Sequence, residues 1–498
     1  MRSVVKSESP QSKIGMRNHG LPKAPSPKDI EDVYELSPMQ QGMLFHTLEA
    51  PQSGTYCVHV AYRLRGPLDR TAFVRAWEAL IERHAILRTS FHWEGRDEPI
   101  QRVHVEAPLP VSDLDWRDLS ARGQDDALEK LLVAERRRDF PLTEPPLLRL
   151  TLIRLGDELN QFVLSHHHLL LDGWCKVRLF EELFSFYEAF QRGKALELPP
   201  PPPYRDYISW LREQDLSRAE CFWRRELADF RRPTPLWARG DASEPDRDYA
   251  EMSIEVAPEV AERLQMFGRK HRLTLNTILQ GVWGLLLAHA AGTLDVVFGA
   301  TVSGRPPSLP GAESMMGLFI NTLPVRVRLG PESAVIPWLS SLQLQQARAR
   351  DYDYAPLSQI RRWSEVKGGW PLFESILVFE NNLGYGSERE LYGDIELFDA
   401  RAVIRNSLPL TLRCVPGRKL SLQLLYDCRR FSAATVAAGG EDLATLLVEL
   451  PRLADRALGS LVAVLEAAAT RRREKQTTAV KGAILQKLKS AGRARRKV

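Results

Sequence analysis

Residues 165–174 read SHHHLLLDGW: three consecutive histidines, a leucine run, an aspartate and a glycine. The preceding segment NQFVLS (160–165) favours a β-strand, and the following segment WCKVRLFEELFSFYEAF (174–190) carries apolar residues at the spacing of a buried helix face. The sequence therefore predicts a turn from a strand into a helix, with the histidines at the end of the strand. Because side chains alternate along a strand, we expect His166 and His168 on one face and His167 on the other.

Three kinds of role fit this histidine cluster. A metal cage is disfavoured, because adjacent strand residues do not converge on one ion and no HExxH pattern accompanies them. Acid–base chemistry is favoured, since an imidazole exchanges protons near neutral pH and Gly173 admits a substrate close to the backbone at a helix start. A purely structural role is the remaining alternative. Asp172 either orients His168 or holds the loop.

The overall composition is that of a globular chain. The 498 residues are 44% hydrophobic and 26% charged, enough for two large domains or a pair of lobes. The five cysteines are widely spaced without a CxxC pair, which disfavours a disulfide framework or structural zinc site and favours a reducing cytoplasm. The sequence contains no GxxxxGK[ST] loop, GxGxxG turn or GxSxG elbow, and we expect neither a targeting segment nor a membrane span.

Changes in composition divide the chain into five parts. Residues 1–29 are rich in Ser, Pro, Lys and Gly and are expected to form a flexible leader. Five consecutive prolines (199–203) disfavour regular structure and predict a stiff connector over 199–215, between an N-terminal lobe (30–198) and a C-terminal lobe (216–470). The tail, 471–498, holds eleven Lys/Arg against one Glu, which suggests a solvated terminus or a contact with an acidic partner.

Further motifs accompany HHLLLDG (167–173) and extend over residues 30 to about 455. In chain order they are LSPMQQGMLFHTL (36–48), RHAILRTSF (83–91), YRDYISWL (204–211), TVSGRPP (301–307), MMGLFINTLPVRV (315–327) and LFESILVFEN (372–381). This series resembles the motifs of the condensation domains of nonribosomal peptide synthetases, in the superfamily that also holds chloramphenicol acetyltransferase. HHLLLDG matches the HHxxxDG signature of that family.

The resemblance implies an α/β (α+β) fold of two chloramphenicol-acetyltransferase-like lobes, arranged as a V-shaped pseudo-dimer around a central tunnel. It implies an acyltransferase that joins an acyl or peptidyl thioester to an amine, or to a hydroxyl, giving an amide or ester. Donor and acceptor carrier proteins would present the substrates on phosphopantetheine arms, or a free small molecule would be the acceptor. We expect no permanent cofactor, no metal, no nucleic acid and no membrane partner, and a monomer.

The resemblance also assigns roles to individual residues. His168, the second motif histidine, is expected to act as a general base or to position the attacking amine. His167 and Gly173 complete the expected catalytic set, with the Gly173 N–H as a candidate oxyanion donor. Asp172 resembles the structural aspartate of the family, and Arg305 is its expected partner. Four residues are expected along the tunnel: Trp174, Ser303, Met315 and Asn321.

Sister activities of the same superfamily are the main alternatives. The intact HHLLLDG excludes a heterocyclisation domain, whose motif is rich in aspartate, and the LSPMQQGMLFHTL and DGWC segments favour condensation over epimerisation. A non-catalytic docking platform is a further alternative, which the complete histidine motif disfavours. Because no LGGxS carrier signature is present, we expect a free-standing enzyme or one part of a longer chain, with the basic tail contacting acidic carrier helices.

Overall fold

The structure is a computed structural model that describes residues 29–237, 249–380, 389–417 and 420–494, excluding the side chains of 475, 476 and 479–494. The predicted leader therefore lies, except for Asp29, outside the described residues. So do most side chains of the basic tail, and its contact with acidic carriers stays a prediction. The described strands form two six-stranded sheets and one three-stranded sheet, all open, with helices packed against them. The expected mixture of α and β structure is confirmed.

The elements alternate along most of the chain. In chain order the strands are β1 (Ile30–Glu35), β2 (Cys57–Arg65), β3 (Thr89–His92), β4 (Ile100–His104), β5 (Val111–Asp115), β6 (Leu148–Arg154), β7 (Leu159–His167), β8 (Tyr249–Ile254), β9 (Asp295–Val302), β10 (Asn321–Arg328), β11 (Ser375–Phe379), β12 (Glu390–Tyr392), β13 (Ile395–Ile404), β14 (Leu410–Val415) and β15 (Ser421–Asp427). The helices are α1 (Pro38–Glu49), α2 (Arg70–Arg83), α3 (Ala121–Arg136), α4 (Cys175–Gln191), α5 (Tyr204–Arg212), α6 (Leu216–Glu226), α7 (Pro258–His271), α8 (Leu275–Ala291), α9 (Val335–Arg350), α10 (Leu357–Trp363), α11 (Ala433–Glu449) and α12 (Gly459–Ala494).

The first six-stranded sheet carries the histidine stretch near its centre. Its strand order is β12-β13-β2-β7-β6-β5, and β7 is paired with β2 on one side and β6 on the other. All but the first residue of β7 are buried, as expected for a central strand covered on both faces. The motif histidines thus leave the sheet at the end of a fixed strand, where Cys57 lies opposite His167.

Helix α2 shows how the core beside this sheet is built. The Asp69 side chain accepts a hydrogen bond from the Ala72 backbone N–H and caps the helix. Its apolar side chains at helical spacing are all buried, at no more than 2% exposure: Phe73, Trp77, Leu80 and Ile81. Phe73 meets Phe162 of β7 with a ring-centroid distance of 5.5 Å and Phe184 of α4 at 6.3 Å. The helix therefore braces the strand and the helix that flank the histidine motif.

Strands β12 and β13 belong to this first sheet, although in sequence they follow β11, which is a strand of the second six-stranded sheet. Strand β13 pairs antiparallel with β2, from Glu396 opposite Arg65 to Ile404 opposite Val58, with an irregularity between Phe398 and Arg401. Residues 390–404 thus cross from the range 216–470, expected to form one lobe, into the sheet of the other. Two buried side chains of this segment, Ile395 and Leu397, belong to the first core.

The second six-stranded sheet has the order β10-β9-β11-β14-β15-β8 and its own core. Helix α8 lies at the centre of that core: twelve consecutive residues, from Thr277 to Ala288, are buried. The Thr274 side chain caps the helix by accepting from Thr277 N–H. Among the described residues, no single helix has the length and apolar composition to cross a membrane; α7 and α8 together pass that test but meet at a bend of 107°.

The proline run is held by contacts to helix α2 beside the first core. Residues 199–203 form no regular element, and the Arg83 guanidinium donates to the backbone carbonyls of Leu198 and Pro199. The remainder of the expected connector includes α5, whose Tyr204 hydroxyl donates to the Leu318 carbonyl at 2.6 Å. Leu318 lies in a segment, 315–319, that is buried against the first core although it precedes β10 of the second sheet. Two segments that follow the proline run in sequence, 315–319 and 390–404, thus pack against the first core.

Candidate active site

We call residues 30–198 the first half of the chain and residues 199–470 the second half. A cavity of about 1600 Å³ is lined by residues of both halves. From the first half come residues along the whole of α1 and residues of the histidine stretch. From the second half come residues that include Val302, Asn321, Leu323, Ile376 and Thr411. The motif therefore faces a space that neither half encloses alone.

The three motif histidines take two orientations. His166 and His168 line the cavity, whereas His167 does not. The alternation expected for strand residues is thereby confirmed, and it explains why a cage of three histidine ligands does not form. Among the described residues there is no group of three or more His, Cys, Asp or Glu side chains placed to hold a metal ion.

His167 is fully buried and uses both ring nitrogens. Its Nδ1 accepts a hydrogen bond from the Leu169 N–H at 3.2 Å, so its Nε2 carries the proton and donates to Thr47 Oγ1 at 3.2 Å. The Thr47 hydroxyl donates in turn to the Met43 carbonyl in α1. Burial lowers the pKa of His167 to about 3, which keeps the ring neutral. His167 thus fixes the turn to α1 and does not contact the cavity.

His168 is a motif histidine with a ring nitrogen that makes no hydrogen bond to the described residues. Its backbone N–H donates to the Tyr56 carbonyl, which holds the residue to the start of β2. The side chain is partly exposed to the cavity, and its buried Nδ1 has no hydrogen-bond partner among the described residues. Burial lowers the pKa of His168 below its usual range. The cavity wall therefore presents a neutral imidazole at physiological pH.

Asp172 is a buried carboxylate that joins the two halves. Its Oδ1 accepts from the Trp174 N–H at 3.1 Å, which tightens the turn into α4. Its Oδ2 accepts from the backbone N–H groups of Phe319 and Ile320 at 2.9 and 3.3 Å, just before β10. The side chain is 0% exposed. Asp172 therefore stabilises the turn into α4 instead of pairing with His168. Its hydrogen bonds to Phe319 and Ile320 connect the histidine motif to the second half of the chain.

Arg305 completes the buried pair that the sequence suggested. Its Nη2 lies 3.3 Å from Asp172 Oδ1, and its side chain is 4% exposed. The guanidinium also donates to the carbonyls of Ala312 and Met315 and stacks over the Phe319 ring at 4.1 Å. These additional partners offset the cost of burying two charges.

Gly173 leaves open space in front of the turn. A Cβ built on Gly173 would have no protein atom within 4 Å, and its φ lies outside the left-handed region. The backbone therefore does not require glycine here, and the absent side chain enlarges the cavity that Gly173 lines. Trp174, 40% exposed, lines the same space.

The other residues expected along the tunnel separate into two sets. Ser303 and Asn321 line the cavity. Met315 does not: it is 1% exposed and packs in the first core. It is buried because its carbonyl is the acceptor for Arg305, which draws the 315–319 segment inward. The expectation that the Met315 side chain lines the tunnel is therefore corrected.

Several cavity residues gave no signal in the sequence. Lys176 is 9% exposed and lies 3.7 Å from Glu390, while Glu380 forms a two-point ion pair with Arg413 at 2.7 and 3.1 Å. Asp353 follows α9 and lines the cavity without an ion pair to any described residue. Isolated charged residues outside a motif are typical of a solvated surface in sequence, so only the folded chain reveals that these face a cavity.

The chain is similar in sequence to a known protein family and to two peptide antibiotic synthases. Residues 30–470 match the family model described as "Condensation domain". Linear gramicidin synthase of Brevibacillus parabrevis contains a region 44% identical over 441 residues, which cover 88% of this chain and 8% of the matched polypeptide. Bacitracin synthase 3 of Bacillus licheniformis is 36% identical over 400 residues, which cover 80% of this chain and 6% of that protein. The chain thus spans less than a tenth of the length of these relatives.

Solved structures of low sequence identity share the fold. The first condensation domain of the calcium-dependent antibiotic synthetase, in complex with a substrate analogue, aligns with a TM-score of 0.73 at 17% identity, over 86% of this chain and 99% of that one. The X-domain in complex with OxyB from teicoplanin biosynthesis aligns with a TM-score of 0.72 at 22% identity, over 90% and 98%. The expected fold class, two acetyltransferase-like α/β halves, is confirmed.

Proposed function

This chain belongs to the condensation-domain family, and from that premise we propose that it transfers a carrier-bound acyl or peptidyl group from a thioester to an amine, forming an amide. The observation that carries the proposal is the neutral His168 imidazole on the wall of a cavity lined by both halves of the chain. Gly173, which lines the same cavity, leaves room for the reacting groups. The cavity is large enough to hold a donor and an acceptor together.

The reaction needs little more than correct placement. The amine nitrogen attacks the thioester carbonyl, a C–N bond forms, the C–S bond breaks and the thiol of the donor arm leaves. Because the thioester is already activated, holding both substrates together supplies much of the rate enhancement. His168 takes the proton that the amine loses and returns it to the leaving thiolate, or hydrogen-bonds the amine during the attack.

The polar framework around His168 supports this assignment. Asp172 is committed to Arg305 and to backbone N–H groups, so it does not share a proton with His168. His167 is committed to Thr47 and the Leu169 N–H. His168 is thus a motif histidine that faces the cavity and has a nitrogen without a partner among the described residues. Gly173 lines the cavity without a side chain, and in this proposal the thioester carbonyl approaches its backbone, where the N–H would stabilise the oxyanion.

We further propose that the substrates arrive on the phosphopantetheine arms of donor and acceptor carrier proteins, each entering the cavity from its own side. The two-sided lining of the cavity and the relatives, which are peptide antibiotic synthases, support this partnership. A free small-molecule amine is an alternative acceptor, and a hydroxyl acceptor would give an ester. Condensation domains use no permanent cofactor, and none takes part in this scheme.

Intact-protein mass spectrometry tests the proposal. A donor acyl-carrier thioester is mixed with amine and hydroxyl acceptors, carrier-bound or free, in the presence of the wild-type protein, His168→Ala, or the control His271→Ala in α7. We expect mass transfer to the amine acceptor with wild type and the control but not with His168→Ala. Deuterium exchange at the donor α-carbon without transfer would show epimerisation, and carrier binding without either reaction would show a docking platform.

A further inference from the structure

The turn between α9 and α10 places a carboxylate on the cavity wall that forms no ion pair with the described residues. The Asp353 side chain has no ion pair within 4.0 Å and accepts no hydrogen bond from those residues, although it lines the cavity. Among the other carboxylates that line the cavity, Asp172 pairs with Arg305 and Glu380 with Arg413, whereas Asp351 is exposed and has no ion pair to the described residues. Partial burial weakens the hydration of this charge, so a positively charged group that enters the cavity would pair favourably with it.

The position of Asp353 is fixed by a residue that adjoins the active-site turn. The Asn321 side-chain amide donates to the backbone carbonyls of Asp353 and Ala355 at 2.6 and 2.9 Å. The residue before it, Ile320, donates its backbone N–H to Asp172. The backbone of Asp353 is therefore connected, through Asn321 and the adjacent Ile320, to Asp172 of the histidine motif. Asp353 does not lie on a free surface loop.

Aromatic rings accompany the carboxylate. Tyr354, the next residue, and Trp210 of α5 both line the cavity, and their ring centroids lie 6.3 Å apart in an edge-to-face arrangement. The Trp210 indole N–H donates to Ser308 and the Tyr354 hydroxyl to the Asp215 carbonyl, so both rings are held in place. A carboxylate beside aromatic faces is the combination that binds an ammonium group, through an ion pair and cation–π attraction.

On the basis of the proposed function, we propose that Asp353, Tyr354 and Trp210 form a subsite that binds a positively charged group of the acceptor substrate. An α-amino group has a pKa near 7.7–8.0, so a large part of any amine acceptor arrives as an ammonium ion at neutral pH. The subsite would hold that ion before it loses its proton. A basic side chain of the acceptor would offer the same chemistry.

The charges around Asp353 are compatible with this role. Burial raises the pKa of Asp353 to about 6, Arg350 opposes that rise and Asp351 adds to it. Tyr207 of α5 also lies within electrostatic reach of the carboxylate, and burial raises its pKa, so it stays neutral. Asp353 is therefore ionised at pH 7 to 8, and an arriving ammonium ion would strengthen its ionisation.

Steady-state kinetics with Asp353→Asn test the subsite. The substitution keeps the size of the side chain and removes the charge. With a leucyl thioester of N-acetylcysteamine as acceptor, we expect the acceptor KM to rise about 10-fold, the loss of one charge-assisted contact, while the donor KM stays within about 2-fold. The control, Asp351→Asn, removes an exposed negative charge two residues away and should alter the acceptor KM by less than about 2-fold.

The choice of acceptor separates the two sources of positive charge. If the α-amino group is bound, Asp353→Asn raises KM for leucyl and lysyl acceptors alike; if a side chain is bound, only the lysyl acceptor is affected. An unchanged acceptor KM for both, an effect equal to that of Asp351→Asn, or a rise in the donor KM alone would overturn the subsite. Absence of product with wild-type protein would instead contradict the proposed function, so the two failures are distinguishable.

Discussion

His167 and Asp172 differ from their neighbours His168 and Asp353 in how fully their polar atoms are used. Both ring nitrogens of His167 and both carboxylate oxygens of Asp172 have protein partners, and both side chains are fully buried. Within the described part of the chain, His168 has a buried ring nitrogen and Asp353 a carboxylate without a partner, and both residues line the cavity. We call the first pair the saturated group and the second pair the open group.

The contrast separates stability from substrate contact within one motif. A buried polar group with all its partners contributes to folding, and removing one partner leaves the others unsatisfied. A polar group without a protein partner adds no such stabilisation to the fold, and a residue that lines the cavity is available to a substrate. We therefore expect substitutions in the saturated group to lower the free energy of unfolding, and substitutions in the open group to change kinetics.

The largest effect is expected for Asp172→Ala. It leaves the Arg305 guanidinium buried without its counter-charge and removes the acceptor for the Phe319 and Ile320 N–H groups, so the free energy of unfolding should fall by about 3–5 kcal/mol. Urea denaturation followed by circular dichroism measures it. His168→Ala is the open-group counterpart and should lower stability by no more than about 1 kcal/mol. Equal losses for the two variants would remove the distinction between the groups.

Acid should weaken the saturated group next. The pKa of His167 is about 3 in the folded protein and near 6.5 in the unfolded chain, so below pH 6.5 the unfolded state binds a proton that the folded state excludes. The contribution of His167 to stability at pH 7 is then lost by about 1.4 kcal/mol per pH unit, roughly 2 kcal/mol by pH 5. His59 and His166, whose pKa values burial also lowers to about 3, add to this loss. Urea unfolding between pH 7 and pH 5 checks this, and a free energy that does not change with pH would contradict it.

Thr47→Val should have a smaller effect on the same group. Valine has the shape of threonine but cannot accept from Nε2 of His167, so the free energy of unfolding should fall by about 1 kcal/mol. Thr47→Ser keeps the hydroxyl and is the matched comparison. If Thr47→Val is as stable as wild type while Thr47→Ser is not, the contact between α1 and the histidine does not stabilise the fold.

The smallest effect on stability is expected for Gly173→Ala, at about 0.5 kcal/mol or less, because the added methyl group meets no protein atom. The methyl group would instead occupy part of the cavity that His168 also lines, so turnover should fall about 10-fold or more by displacing the reacting groups. Thermal denaturation and the transfer assay measure the two quantities. A large loss of stability with unchanged turnover would place Gly173 in the saturated group.

Local patterns in the sequence predicted local structure well. The turn from strand to helix and the alternation of the histidines depend on neighbours in the chain, and the structure has both. Asp172 and Arg305 lie 133 positions apart, and only the family resemblance brought them together. The proline run correctly marked a segment without regular structure.

What the sequence did not reveal depends on distant packing. The burial of Met315 accompanies a hydrogen bond from Arg305 to its backbone carbonyl. A pattern of side chains in the sequence does not predict such a backbone contact. Asp353 was overlooked because an aspartate in a turn is ordinary, and its environment comes from Asn321 and Trp210 on other elements. The crossing of β13 into the first sheet is a choice of partner strand, which alternation of apolar residues does not specify.

The crossing strand has a consequence for attempts to exchange halves between related proteins. A cut at the proline run would separate β2 from β13, the strand that covers its outer edge. The isolated first half would then present the unpaired amide and carbonyl groups of β2, a nine-residue strand, as an open template for aggregation. A chimera should therefore transplant residues 390–404 together with residues 30–198, so that each hybrid inherits a sheet and its covering strand from a single parent.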